Sequence, residues 1–511
     1  MPNLKLNIIA NYAGSIWAAL MGVAFVPLYI KYMGIESYGL VGFFTTLVSL
    51  FSILDMGLSV TLNREMARRS VLDGQAQATR DLLRTLELIY WSVAILIGVT
   101  VTLLSYPIAR YWLNTQQLSM SDVQQAVMIM GLVVIIRWPF GLYRGGLMGL
   151  QKQVFVNGVN VLTGTLRGLG AVLVLWLVSP TIQAFFCWQM IVSGLETLIM
   201  AYFLWRALPP TGKRPEFRWS VLAETWGFTT QMMGISLLIV IFNQSDKILL
   251  SKLLPLDMFG YYMLAWTIAV SVFKFVEPIF SAAFPRLTQL VAAQNTLELT
   301  QLYHKLCQLM AVIVLPFSSA LAVFSYEVLL VWTGNSDIAQ PTHVVLSILT
   351  VGMACNAMTI MPYGLQLACG WMTLTLWTRI VSVVALIPLM IWMAFHYGMI
   401  GGAIVWALFQ ITNLFIYANI MHQRILKGQF RRWYRYDVAQ PLIAAVTLVL
   451  AGKMALTETF PIAWTIMSLG LITCLSLFFA AIAAPEIRHS LINLLRKTFP
   501  RLSLKYQRLS G

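Results

Sequence analysis

Four cations stand inside runs of apolar sequence that leave no connecting loop to hold them: Arg137, Arg167, Lys274 and Arg379. A charged side chain at mid-bilayer costs about 3 kcal/mol on insertion scales, so such residues face a bundle interior or a wet cavity. Arginine in such a place suits phosphate, because its planar guanidinium offers two parallel N–H groups to two oxygens at once. The acids in the same setting are Asp55, Glu196 and Glu277. Glu277 follows Lys274 by three residues, so the two share a helical face and are expected to neutralise each other; Glu277 otherwise serves as an ion-coupling candidate. Asp55 has no charged neighbour, since Arg64 is about 13 Å further along a helix. It is either the partner of a cation from another span or a site for H+ or Na+. Arg167 and Arg379 have no acid close by in their own spans, and Glu196 or Asp55 is placed to reach one of them across helices.

Polar residues recur on single faces of the same runs. At 100° per residue, Asn157, Asn160, Gly164 and Arg167 line up, as do Thr375, Thr378, Arg379 and Ser382. Trp406, Gln410, Asn413 and Tyr417 form a third face, Asn356, Thr359, Tyr363 and Gln366 a fourth, and Asn7, Asn11, Gly14 and Ser15 a fifth. Interhelical hydrogen bonding explains any one of them. Five such faces together with the cations point to a shared polar cavity. The cysteines (Cys187, Cys307, Cys355, Cys369, Cys474) have unrelated spacings and the histidines show no His-x-x-x-His, so neither a disulfide framework nor a metal site is expected. No catalytic residue and no cofactor is expected beyond a coupling H+ or Na+.

The elements that position these residues follow from composition. Of 511 residues 59% are hydrophobic and 10% charged, with a mean hydropathy of +0.77; a soluble domain carries about 25% charged residues. The chain reads as an all-α polytopic membrane protein, with room for about fourteen helical crossings of about 20 residues. The alternation of barrel strands is missing. Spans are expected at 8–30, 38–62, 86–109, 123–148, 154–178, 181–205, 223–246, 257–284, 306–332, 343–368, 373–395, 400–423, 438–457 and 462–484. The first is too long for a cleavable signal and no small-residue cleavage site follows it. The connections on one side hold Arg64, Arg68, Arg69, Arg80, Arg84, Arg144, Lys152, Lys213, Arg286, Lys305, Arg432 and the basic tail; the other side has only Lys31, Arg110, Lys247, Lys252 and Lys453. By the positive-inside rule both termini are expected in the cytoplasm. The formal charge of +15 is therefore a topology signal rather than a nucleic-acid footprint. Its cations also meet anionic lipid headgroups, and the tail is placed either on the inner leaflet or in solvent. The connections are too short for a soluble catalytic or binding domain, so function belongs to the bilayer and its faces.

The sequence also repeats itself. A shift of 221 residues carries Lys31 onto Lys252, Glu36 onto Asp257, Tyr38-Gly39 onto Phe259-Gly260 and Gly149 onto Gly370, and a shift of 222 carries Asp55 onto Glu277 and Arg64 onto Arg286. One offset held over so much chain indicates an internal duplication. Six spans per copy is even, so both copies start on the same side, related by an axis along the membrane normal.

These stretches resemble a known family. Asn11-Tyr12 through KYMGIESYGL and on to ILDMGLSVTLNREMAR is similar to the opening of Wzx-type O-antigen flippases, in the polysaccharide transporter branch of the multidrug/oligosaccharidyl-lipid/polysaccharide exporter superfamily. NQSDKILLSKLLPLDMFGYYMLA and PIFSAAFPRLTQL resemble its second-lobe entry, except that Pro255 stands where the first copy has Gly34. The resemblance implies two six-helix lobes, 1–210 and 211–430, around a central cavity, then accessory spans at 431–485 and a basic tail at 486–511. It implies alternating access that carries an undecaprenyl-diphosphate-linked oligosaccharide to the outer face of a bacterial inner membrane. Polysaccharide polymerase and chain-length proteins are implied as partners. The cations fit a diphosphate and acidic sugars; Asn157, Asn160, Thr378, Gln410 and Asn413 would line the cavity, and Trp and Tyr would stack on sugar faces. A lipid II flippase shares fold and cationic cavity. A drug/cation antiporter of the superfamily calls for a more acidic cavity and twelve spans, and a polymerase or ligase for a large outer loop with catalytic Arg or His.

Overall fold

The computed structural model describes residues 14, 16–18, 20–55, 57–70, 74–219, 240, 243–371, 373–456 and 462–498. Among these the regular elements are helices, and the single isolated bridge joins Asn114 to Pro255. Lipid offers no hydrogen-bond partner, so each span must satisfy its own backbone, which a helix does. In chain order the helices are α1 (Val26–Phe51), α2 (Leu58–Arg69), α3 (Ala76–Leu103), α4 (Met120–Arg137), α5 (Phe140–Gly149), α6 (Gln153–Thr165), α7 (Ala171–Leu177) and α8 (Ile182–Ala207). There follow α9 (Leu256–Ala269), α10 (Phe273–Ala292), α11 (Thr296–Val323), α12 (Ser325–Thr333), α13 (Ser336–Ala368) and α14 (Thr373–Thr412). The last are α15 (Ala418–Arg424), α16 (Gln440–Ala455), α17 (Ile462–Ala483) and α18 (Pro485–Thr498).

Among the described residues 11 helical segments are long and apolar enough to cross a membrane. The expected span at 223–246 falls largely outside the described residues, as do the start of the span at 8–30, Asn7, Asn11, Ser15 and the tail beyond Thr498. The expected spans eleven and twelve run together through α14, which breaks at Gly398 (φ 57°). The expected starts at 86 and 306 are corrected by ten residues: α3 begins at Ala76 and α11 at Thr296, so Arg80, Arg84 and Lys305 ride on helical turns rather than loops. Arg, Lys, Glu and Gln are good helix formers, so a helix continues past the apolar stretch that crosses lipid. The duplicated turn differs between its copies. Gly34 takes φ 83° inside α1, a backbone that proline cannot adopt, and at Pro255 the chain instead extends to pair with Asn114.

The chain packs as two compact units, Met1–Met263 with Arg379–Gly402, and Leu264–Thr378 with Ala403–Gly511. In the first, α3 packs on α4, α4 on α8 and α2 on α5. Lipid is as apolar as leucine, so helices associate there by close packing at small residues. A Cβ on Gly98 would stand 2.6 Å from the carbonyl of Gly131, and one on Gly131 2.7 Å from that of Gly98. A separate core in this unit includes Leu62, Met66, Leu82, Leu86, Tyr143 and Leu204. In the second unit α11 packs on α13, α16 and α17, and α18 lies against α11 and α17. A buried polar knot ties them: His304 Nδ1 meets Asp437 at 2.5 Å, Gln308 donates to Asp437 at 2.8 Å, and Gln308 accepts the Glu486 N–H at 2.7 Å.

Candidate functional site

Three of the ionisable residues singled out above sit where a helix is interrupted, all in the first unit. Asp55 ends a tight turn, Ser52–Asp55, and α2 restarts beyond Gly57 at φ 76°. Arg137 ends α4, and Trp138-Pro139 separates it from α5 because proline lacks the N–H to continue the ladder. Arg167 lies in a wide i→i+5 turn, Leu166–Gly170, between α6 and α7. Wide turns of this kind recur at functional sites, since they loosen backbone carbonyls from the helix ladder. Here side chains take those carbonyls up: Trp188 Nε1 donates to Leu166 at 2.7 Å, Tyr29 to Gly168 at 3.1 Å and Gln189 to Arg167 at 3.4 Å.

The interruptions bring the charges together. Arg167 pairs with Glu196 of α8 and donates to Ser193 at 3.3 Å, while Thr163 donates to the other oxygen of Glu196 at 2.8 Å. Of the partners left open by the sequence, Glu196 is therefore the one that reaches Arg167. Arg137 lies in the electrostatic field of both Arg167 and Glu196 but forms no ion pair with that carboxylate among the described residues. Arg137 also lines a cavity of about 280 Å³ with Asp55, Ser59, Tyr90, Trp138 and Phe140. Asp55 accepts from Ser59 Oγ at 2.8 Å and from the Tyr90 hydroxyl. It thus has a local partner after all, a neutral hydroxyl one turn on instead of a charge. The cluster of Arg137, Arg167, Glu196 and Asp55 is neutral when Asp55 is ionised and carries one positive charge when Asp55 holds a proton.

Asn157 and Asn160 are half-buried on α6. Asn157 donates to Gln153 at 2.9 Å, and its Oδ1 would stand 2.8 Å from a Cβ on Gly14, so Gly14 of the first expected span meets the fifth at Asn157. Arg379 is half-buried and engaged by a partner of its own. In the second unit Lys274 and Glu277 are both exposed and make no ion pair with each other, a correction to the expected neutralisation. Lysine placed before glutamate along a helix is the weaker order, because it opposes the helix dipole. Three of the polar faces converge there on Gln366, which accepts from Tyr417 and, at 3.2 Å, from Thr375. Thr378 donates to Thr375 at 3.0 Å, Gln410 is buried, and Asn413 opens another wide turn, Asn413–Tyr417.

Sequence reasoning missed the neutral residues of the site: Ser59, Tyr90, Thr163 and Ser193. Ser59 lies four residues after Asp55 and Ser193 three before Glu196, so helical spacing reaches those two. Nothing in the sequence links Tyr90 or Thr163 to their carboxylates.

Three comparisons bear on this arrangement. A family model described as polysaccharide biosynthesis protein matches residues 4–291. A candidate O-antigen transporter of Shigella flexneri is 22% identical over 404 residues, 79% of this chain and 94% of the relative. Among solved structures, the lipid II flippase MurJ in an inward closed conformation superposes with a TM-score of 0.70 at 12% identity, covering 94% of this chain and 98% of MurJ. An inward-facing multidrug resistance transporter of the MATE family, MOP superfamily, gives 0.65 at 14% identity, covering 82% of this chain and 96% of its own. At such identities the structures establish a common fold.

Proposed function

The chain belongs to the polysaccharide biosynthesis protein family, and from that premise we propose that it is a flippase for an undecaprenyl-diphosphate-linked oligosaccharide, the repeat unit of an O-antigen or other surface polysaccharide. The observation that carries this reading is two arginines set at helix interruptions within an apolar bundle, Arg167 paired with Glu196 and Arg137 in no ion pair among the described residues. A diphosphate offers oxygens to both guanidiniums and gives Arg137 an anionic partner. Arg379 and Lys274 extend the same positive potential along the path of the substrate. The relative of Shigella flexneri supports the polysaccharide substrate, and the uneven distribution of Lys and Arg supports a bacterial inner-membrane protein with both termini in the cytoplasm. Two six-helix lobes, 1–210 and 211–430, with accessory spans behind them, alternate access between the faces. Asp55 couples the cycle to an ion gradient, since protonating it makes the cavity it shares with Arg137 more positive and favours an anion there. Polysaccharide polymerase and chain-length proteins receive the product, and no catalytic step is assigned to the chain.

Lipid II is the second reading, supported by the MurJ-like fold. Complementation separates the two: wild-type chain should restore export in an O-antigen flippase-deficient strain and not rescue a strain depleted of its lipid II flippase. Rescue of the second strain alone overturns the first reading. Full export by both Arg167→Ala and Arg379→Ala, measured per unit of variant protein in the membrane, removes these arginines from the binding site.

A further inference from the structure

Residues 112–118, which join α3 to α4, hold both copies of the duplicated turn at once. Toward the first copy, the buried carboxylate of Glu36 accepts the backbone N–H groups of Gln116, Gln117 and Leu118 at 2.6, 2.8 and 2.9 Å. Toward the second, the Leu256 N–H donates to the Asn114 carbonyl at 2.8 Å and the Asn114 side chain donates to the Lys252 carbonyl at 3.1 Å. The Trp112 indole donates to Ser251 at 3.1 Å, and Leu113, 3% exposed, is sunk between these ties.

α1 and α9 cross beside this strap at glycines that the duplication makes equivalent. A Cβ on Gly39 would stand 2.4 Å from the Leu256 carbonyl, and one on Gly260 would stand 2.4 Å from the Ile35 carbonyl. Ile35 and Leu256 are themselves equivalent at the same offset, so the contact is reciprocal, as across a two-fold axis. Gly42 packs on Met263, its own equivalent. The crossing brings backbone against backbone at Gly39 and Gly260, with the Met263 side chain seated on Gly42.

The two sets of ties differ in kind. Three N–H groups on a buried carboxylate form a charge-assisted nest, whereas the hydrogen bonds to the second copy are neutral and its one charged contact is the Lys252 ammonium over the Trp112 ring at 6.0 Å. Asp257, the equivalent of Glu36, turns its carboxylate onto its own neighbour, accepting the Met258 N–H at 2.8 Å, and holds no part of the strap.

We propose that residues 112–118 are the bolt of a gate: the strap stays with the first copy through Glu36 and releases Ser251–Leu256 of the second copy once in every transport cycle. The inference rests on the flippase reading and adds the residues that control passage. Paired residues on neighbouring strands lie about 4.8 Å apart, inside the range of about 4.4–6.8 Å that a disulfide spans, so Asn114→Cys with Pro255→Cys should cross-link. A chain with its five native cysteines replaced must first restore export in the flippase-deficient strain; failure there is a failure of the functional reading, not of the gate. In that chain the double variant is oxidised in cells. Export is expected to fall in proportion to the cross-linked fraction, by tenfold or more when cross-linking is complete, and to return on reduction with dithiothreitol. Each single cysteine variant should export normally whether oxidised or not. If Pro255→Cys is not inserted, Asn114→Cys with Lys252→Cys, bridged by a short bifunctional thiol reagent, reads the same contact. Full export with the bolt cross-linked overturns the proposal, and so does absence of cross-linking in both pairs.

Discussion

Arg137 and Arg167 both lie in the field of Glu196, yet removing one is not equivalent to removing the other. Arg167 is paired with Glu196, and both side chains are largely buried. Breaking a buried pair costs about 3–5 kcal/mol, because it strands the remaining charge. Arg167→Ala is therefore expected to lower membrane levels as well as export, and immunoblots beside export measurements would see both. Arg167→Ala combined with Glu196→Ala should recover protein level without recovering export; recovery of both would make the pair purely structural. Arg137 makes no ion pair among the described residues, so Arg137→Ala should reach normal levels while export falls about tenfold, equal to about 1.4 kcal/mol of lost binding. At Asp55 the carboxylate has two hydroxyl donors, and Asp55→Asn keeps an acceptor for one of them while removing titration. In proteoliposomes, Asp55→Asn should lose gradient-driven flipping at normal protein levels. Wild-type flipping by that variant would exclude coupling through this acid.

At the scale of elements, the working residues sit at gaps in helices. Ser52–Gly57, Trp138-Pro139 and Leu166–Gly170 each interrupt a span of the first unit, and each carries one member of the charged cluster. A regular helix closes its backbone polar groups on itself; a broken one offers them to side chains and ligands. The accessory elements show the opposite use of polarity. His304, Gln308 and Asp437 are fully buried and hold α11 to the chain entering α16. Asp437→Ala would leave the His304 and Gln308 donors without an acceptor, at about 1–3 kcal/mol each. The purified variant is expected to melt several degrees below wild type and to be cleaved sooner in the α16–α17 region under limited proteolysis. An unchanged melting temperature would mean that another contact docks these helices.

For the whole molecule, the basic loops set the expected orientation. Thiol labelling should find positions near Arg68, Lys213 and Arg432 accessible only from the cytoplasm, and labelling of any of them from outside would reverse the topology. The connection between the proposed lobes is itself pinned: Asp81 on α3 pairs with Arg218 at 2.9 Å and accepts the Glu216 N–H at 3.0 Å, while Arg80 donates to Pro209 at 2.9 Å. Hydropathy, periodicity and the distribution of Lys and Arg are properties of consecutive residues. From them alone came the membrane class, most of the helices, the duplication and the charged residues inside the spans. Partnership is different, because it joins residues far apart in the chain. Glu196 lies on α8 and Arg167 between α6 and α7, Tyr90 lies on α3 and Asp55 before α2, and Asn114 pairs with Pro255. A helix face predicts which side chains look the same way, but a proline, a left-handed glycine or a wide turn rotates the face that follows. Only packed helices decide whether a buried charge meets an acid, a hydroxyl or a cavity.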